Sequence, residues 1–181
     1  MAQYISLLRG INVGGNRKIK MADLKALYQS LNLSDVSTYI QSGNVIFKSE
    51  TNDIKQLQIT IEQAIEQHFG FTVAVDIRTL DEFKKALQAL PFNNVNIAED
   101  GSKVLISFLS EAPQTENITE LLAYVQPPEK IVVSNDCAYI DYPNGCGRSK
   151  LTNVLIEKKL AVSATARNLK TVAKLLELAQ K

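Results

Sequence analysis

Chemistry in this chain would centre on cations placed beside glycines and helix starts. The stretch Tyr142-Pro143-Asn144-Gly145-Cys146-Gly147-Arg148-Ser149-Lys150-Leu151-Thr152 combines two glycines, two cations and a hydroxyl residue ahead of an apolar-periodic segment. Glycines let a backbone approach a ligand, Ser149 is a helix-capping type, and the first amides of a helix carry partial positive charge. Such a helix start suits an anion. The arrangement returns at Thr165-Ala166-Arg167-Asn168-Leu169, where Arg167 precedes the capping type Asn168 as Arg148 precedes Ser149. A third basic piece, Arg9-Gly10-Ile11-Asn12-Val13-Gly14-Gly15-Asn16-Arg17-Lys18, follows an apolar strand pattern, and its amides could wrap a phosphate. Neither loop has the spacing of a Walker loop or of a dinucleotide fingerprint. The same residues also have structural readings: turn glycines that only reverse the chain, and arginines paired with acids for at most about 1 kcal/mol.

Nucleophilic or acid–base catalysis has little support. Cys146 lies between glycines near Arg148, but no histidine is close in sequence, and a catalytic cysteine needs an activating base. His68, the single histidine, falls near the end of a helical stripe. Asp81-Glu82 reads as a cap and Glu99-Asp100 as a solvated loop. Tyr39 and Tyr142 lie near glycines and could stack a base or pack within strands. No Cys/His cluster has zinc spacing, so neither a metal nor a cofactor is expected, and the catalytic residues are unassigned.

Charge segregates along the chain. Residues 1–20 carry four cations and no acid, residues 21–142 carry 8 cations and 17 acids, and residues 143–181 carry 8 cations and 2 acids, within a net charge of +1. If the fold brought the chain ends together, the two basic segments would form one positive cleft. With 181 residues, 45% hydrophobic and 22% charged, the composition is that of a globular protein. No apolar run reaches the roughly 18 residues of a membrane span. Two cysteines are too few for a disulfide framework. A cytoplasmic protein without membrane contact is expected.

Apolar periodicity then supplies the elements that must position these residues. Tyr4–Arg9 reads as a strand, residues around Leu24–Leu31 as a helix, Val36–Gln41 and Val45–Lys48 as a hairpin turning at Ser42-Gly43-Asn44, Ile54–Phe69 as a helix and Phe71–Ile77 as a strand. Residues 1–78 thus predict βαββαβ. Thr79-Leu80-Asp81-Glu82 is a capping box opening a connecting helix. The acidic stretch Phe92–Gly101 reads as a linker. The second half repeats the order: strand Val104–Leu109, a helix through Val125, a hairpin about Asn135-Asp136, a helix through Leu160, a short segment Ala161–Arg167 and a last helix. The fold class expected is α+β, a duplicated ferredoxin-like βαββαβ unit with antiparallel sheets and helices on one face. Its parts would be 1–79, a connecting helix and linker at 80–101, and 102–181 with an extra terminal helix.

Four separated stretches, Leu8-Arg9-Gly10-Ile11-Asn12-Val13-Gly14-Gly15, Tyr39-Ile40-Gln41-Ser42-Gly43-Asn44-Val45, Gly147-Arg148-Ser149-Lys150-Leu151-Thr152 and Thr165-Ala166-Arg167-Asn168, together resemble the bacterial domain-of-unknown-function family 1697. The resemblance implies a cytosolic single-chain α+β protein with the duplicated architecture, and no activity comes with it. Leu169 departs from the Trp that the family places there, and Cys146 falls in a variable slot. The candidate anion-binding set is therefore Arg9, Gly10, Asn12, Gly14, Gly15, Arg17, Lys18, Ser42, Asn44, Arg148, Ser149, Lys150, Arg167 and Asn168. The expected partner is a phosphorylated small molecule or nucleotide, with nucleic acid the weaker alternative because no pair of strand aromatics is evident. An enzyme acting on a phosphate ester in the same place, and a purely structural role for the motifs, are the competing readings.

Overall fold

The computed structural model describes residues 1–181. The elements follow the order β1 (Ala2–Leu8), α1 (Met21–Ser30), β2 (Ser34–Tyr39), β3 (Asn44–Ser49), α2 (Ile54–Phe69), β4 (Val75–Thr79), α3 (Leu80–Gln88), α4 (Ile97–Asp100), β5 (Val104–Leu109), α5 (Thr115–Leu122), β6 (Lys130–Val133), β7 (Cys137–Asp141), α6 (Asn153–Leu160), β8 (Ala164–Asn168) and α7 (Leu169–Ala179). They build two four-stranded antiparallel sheets, β2-β3-β1-β4 and β6-β7-β5-β8. This is the duplicated βαββαβ order, an α+β fold.

The chain divides into two compact units, Met1–Phe83 with Leu175–Lys181 and Lys84–Lys174. The division falls within α3 and within α7, where the sequence suggested breaks at 79 and 101 and a C-terminal part running to 181.

In the first unit Tyr4, Ser6 and Leu8 alternate toward α1 and α2, opposite Phe47 and Val45 on β3, as a strand's period of two requires. Tyr28 from α1 sits edge-on to Phe47, with ring centroids 5.6 Å apart. Its phenol meets the Ser6 hydroxyl at 2.8 Å, and the Tyr4 hydroxyl donates to Thr51 O at 3.3 Å, so both phenols in this core are satisfied. Ile5, Leu7 and Ile46 point to the other face and are buried too. Neither face of this sheet is an open aromatic platform.

In the second unit Leu109, Ala138, Ile140 and Tyr142 pack with Leu121, Ile156 and Leu160. Tyr139 lies on the opposite side of its strand, and its hydroxyl donates to the Ala86 carbonyl at 3.0 Å.

Four local expectations change. Residues 164–168, read as a connection, form β8 along β5, with Leu105 opposite Asn168 and Leu109 opposite Ala164; small Ala and Thr side chains give too weak an apolar alternation to announce a strand. The stretch 92–101 contains α4, capped by Asn96, whose side chain accepts from Ala98 N. β4 starts at Val75, not Phe71, because Phe71 packs against Phe69. The helix after Gly147 starts at Asn153 with Thr152 as its cap, not behind Ser149. The capping box at Thr79 forms as expected: Glu82 N donates to Thr79 Oγ1 at 3.2 Å and Thr79 N to Glu82 Oε2 at 2.7 Å.

Candidate functional site

The basic loop of the first unit is a small hairpin rather than a flexible wrap. Val13 and Asn16 form an antiparallel bridge, and Asn16 N donates to Val13 O and Asn12 N to Arg17 O. The turn between them is Gly14-Gly15, both at positive φ (58° and 78°), the pattern of a type I′ turn. The amides of Asn12 and Asn16 are therefore spent inside the hairpin.

Asn12 fastens its foot. The Asn12 carboxamide accepts from Ile19 N at 2.9 Å, donates to Ile19 O at 3.0 Å and donates to Gln41 O at 2.8 Å. One side chain thus pairs with a backbone residue as a strand would and bridges to the β2–β3 turn. That turn is rigid in its own right. The buried Asn44 amide donates to Tyr39 O and to Ser42 Oγ, and Leu8 N donates to Gly43 O at 2.8 Å. A Cβ on Gly43 would lie 2.6 Å from Ile11 Cδ1 and 2.9 Å from Leu8 Cβ, and its φ is +81°, so only glycine fits. Ser42, Asn44 and Asn12 are committed to bonds within the protein.

A recess of about 580 Å³ opens beside this hairpin, lined by Asn12, Gly15, Lys18, Ile19, Lys20, Met21, Asp23, Gln41 and Phe69. α1 begins on its wall. The residue before the helix is Lys20, which offers no side-chain acceptor to the first amides, so the partial positive end of α1 is uncapped. Lys18 and Lys20 are exposed and form no ion pair, and neither does Arg17. Asp23 in the first turn is the single carboxylate on the wall. Arg17 Nη1 lies 3.6 Å from where a Cβ on Gly10 would sit. Arg9 is half-buried and its N–H donates to Ala74 O.

The remaining candidates belong to the second unit. Tyr142 is buried, and its hydroxyl donates to Leu151 O at 2.6 Å. With its ring covered it is an anchor and no base-stacking surface, and burial pushes its pKa up to about 12. Cys146-Gly147-Arg148 make one 3-10 turn. Ser149 Oγ accepts from Leu151 N at 2.9 Å and so does not cap the helix. The cap is Thr152, whose hydroxyl accepts from Leu155 N at 3.2 Å. Arg148 and Lys150 stand exposed before it. Asn168 does cap α7, accepting from Thr171 N at 2.9 Å. Arg167 lies in β8, half-buried, with Nη1 donating to Ala166 O. Cys146 is exposed, and His68 is exposed with its ring against Phe69.

The sequence reading missed Ile19, Met21, Asp23, Gln41 and Phe69 as lining residues and counted Lys20 only in the charge. Phe69 carried no signal beyond its place on an apolar helix face. Lys20 did carry one: a cation in the N-cap position is the reverse of the usual preference. No group of three His, Cys, Asp or Glu side chains gathers where it could hold a metal ion, and no helix is long and apolar enough to cross a membrane.

Comparison with known proteins places these features in context. No curated protein matches the chain. A conserved bacterial protein from Streptococcus pneumoniae, of solved structure, is similar over 98% of both chains with a TM-score of 0.74 at 23% identity, a likeness of fold. The family described as "Protein of unknown function (DUF1697)" matches residues 1–139, a span that includes the hairpin, the β2–β3 turn and the recess between them. The chain belongs to that uncharacterised family.

Proposed function

We propose that the protein binds a phosphorylated small molecule, nucleotides included, in the recess of the first unit. The observation that carries this reading is the coincidence, in the lining of one recess, of two lysines lacking carboxylate partners and an uncapped helix start. A phosphate there meets backbone donors and full charges together, which is how helix starts hold anions. The motif residues then divide in role: Asn12, Ser42, Gly43 and Asn44 set the backbone, and Lys18 and Lys20 meet the ligand. Arg148, Lys150 and Arg167 belong to the other unit and are not needed for this site.

Binding is favoured over catalysis because the wall offers no histidine, cysteine or hydroxyl nucleophile, only Asp23. Nucleic acid is the weaker reading, since Tyr4 and Phe47 are buried under helices and RNA-binding sheets of this class stack bases on exposed strand aromatics.

A thermal-shift titration at low salt with inorganic phosphate, nucleotides and short oligonucleotides tests the proposal. Binding at a hundred times Kd raises native stability by about 2.7 kcal/mol. The expected outcome is a saturable, salt-sensitive rise in Tm that disappears in Lys18→Ala/Lys20→Ala. Flat curves for every compound would refute it.

A further inference from the structure

We propose that the ligand of this recess is a nucleoside monophosphate, its base lying against Phe69 and its phosphate against Lys18 and Lys20. This rests on the phosphate-binding reading above and narrows it. The recess is two-sided in chemistry. Its lining combines the exposed cations Lys18 and Lys20 with the half-buried apolar Phe69 and Met21. A sugar phosphate or inorganic phosphate would leave those apolar side chains wet, whereas a planar base covers them.

Phe69 is also held in place. It ends α2, half-buried, with the His68 ring edge-on at 4.7 Å and the Phe71 ring tilted at 6.3 Å. A fixed ring loses little freedom when a base stacks on it. Gln41, whose backbone carbonyl and side-chain Oε1 both accept from the Asn12 carboxamide, lines the same recess, and its exposed carboxamide NH2 is able to donate to a base edge.

The charge selects the phosphate count. Lys18 and Lys20 against Asp23 leave one net positive charge, with roughly half a charge more from the α1 terminus. That balance suits a monoester and is too small for a triphosphate. The volume of about 580 Å³ falls within the roughly 300–1,000 Å³ usual for small-molecule sites.

Calorimetric titration of the full chain at low salt with inorganic phosphate, ribose 5-phosphate, AMP and ATP tests this. AMP is expected to bind about tenfold tighter than ribose 5-phosphate, the effect of one stacked base, and tighter than ATP. Phe69→Leu should bring AMP to the ribose 5-phosphate affinity. Equal affinity of the wild-type protein for AMP and ribose 5-phosphate overturns the inference while the phosphate site stands, and this comparison needs no variant to fold. ATP binding more tightly than AMP overturns the monophosphate assignment. Absence of binding by all four overturns the recess reading together with this one.

Discussion

Residues 9–20 and 142–152 carry the same ingredients: glycines, two or more cations, and a helix close behind. Their backbones are used in opposite ways. In the second segment Ser149 takes the amide of Leu151 and Thr152 takes that of Leu155, so side chains of the chain itself occupy the places an anion would want. In the first, the residue in the capping position is Lys20, which supplies charge and no acceptor. The lesson is that glycine and arginine content marks where backbone donors are exposed to choice, while the identity of one capping residue decides whether the donors stay available.

The sharpest break in this comparison is at the glycines. Gly43→Ala combines positive φ with a Cβ inside Ile11 and Leu8 and should cost about 3 kcal/mol. Gly14→Ala, with positive φ and open space around it, should cost only about 1 kcal/mol. Denaturant unfolding of both variants measures the gap; equal losses would mean that backbone strain and not packing governs the turn.

Asn12→Ala removes four hydrogen bonds at the foot of the hairpin, one of them long at 3.5 Å, and should cost about 2 kcal/mol. Amide exchange at Ile19 should rise well above that at Ile140. Protection unchanged at Ile19 would show that the hairpin stands without its brace.

In the second segment, Tyr142→Phe strands the Leu151 carbonyl, at about 1–1.5 kcal/mol. Its phenol also sets a pH limit. Burial raises the pKa from its ordinary 10.0 to about 12, so between those values the folded state holds a proton that the unfolded state has lost. Stability is steady below pH 10 and falls as pH rises toward 12. Tyr28 and Tyr139, raised by burial as well, act in the same direction. A wild-type unfolding midpoint level from pH 9 to 12 would contradict this assignment.

Thr152→Ala removes the α6 cap at about 1 kcal/mol and should leave phosphate binding untouched. The smallest stability change is expected at α1. Lys20→Ala should alter stability by no more than about 0.5 kcal/mol while weakening phosphate binding, and Lys20→Ser, which adds a capping hydroxyl, should weaken it further. If Lys20→Ser binds phosphate as well as Lys20→Ala, the open helix end contributes nothing to the site.

Much of the architecture was legible in order. The strand at Tyr4–Arg9, the helix at Ile54–Phe69 and the Thr79 capping box each correspond to an observed element, since short-range spacing of apolar and capping residues is a local property. The Ala164–Asn168 strand was not, because its pairing with β5 is a long-range contact that its own small residues do not announce. The candidate site was half legible. Lys18 and the hairpin glycines were visible as a basic, glycine-rich loop. Phe69, Met21 and Gln41 come from distant parts of the chain and meet Lys18 only once α1, α2 and the β2–β3 turn are in place.

By itself the sequence determined the succession of elements, the duplication of their order and the segregation of charge, all carried by residue type and short-range spacing. Tertiary structure decided which polar atoms remained for a ligand. Asn12, Ser42, Asn44 and Ser149 have the chemistry to bind an anion, and each is spent on a backbone or side-chain partner brought to it by folding. A buried or half-buried polar group takes whichever partner the fold offers before it can wait for a ligand, and that allocation depends on distances between residues far apart in the chain.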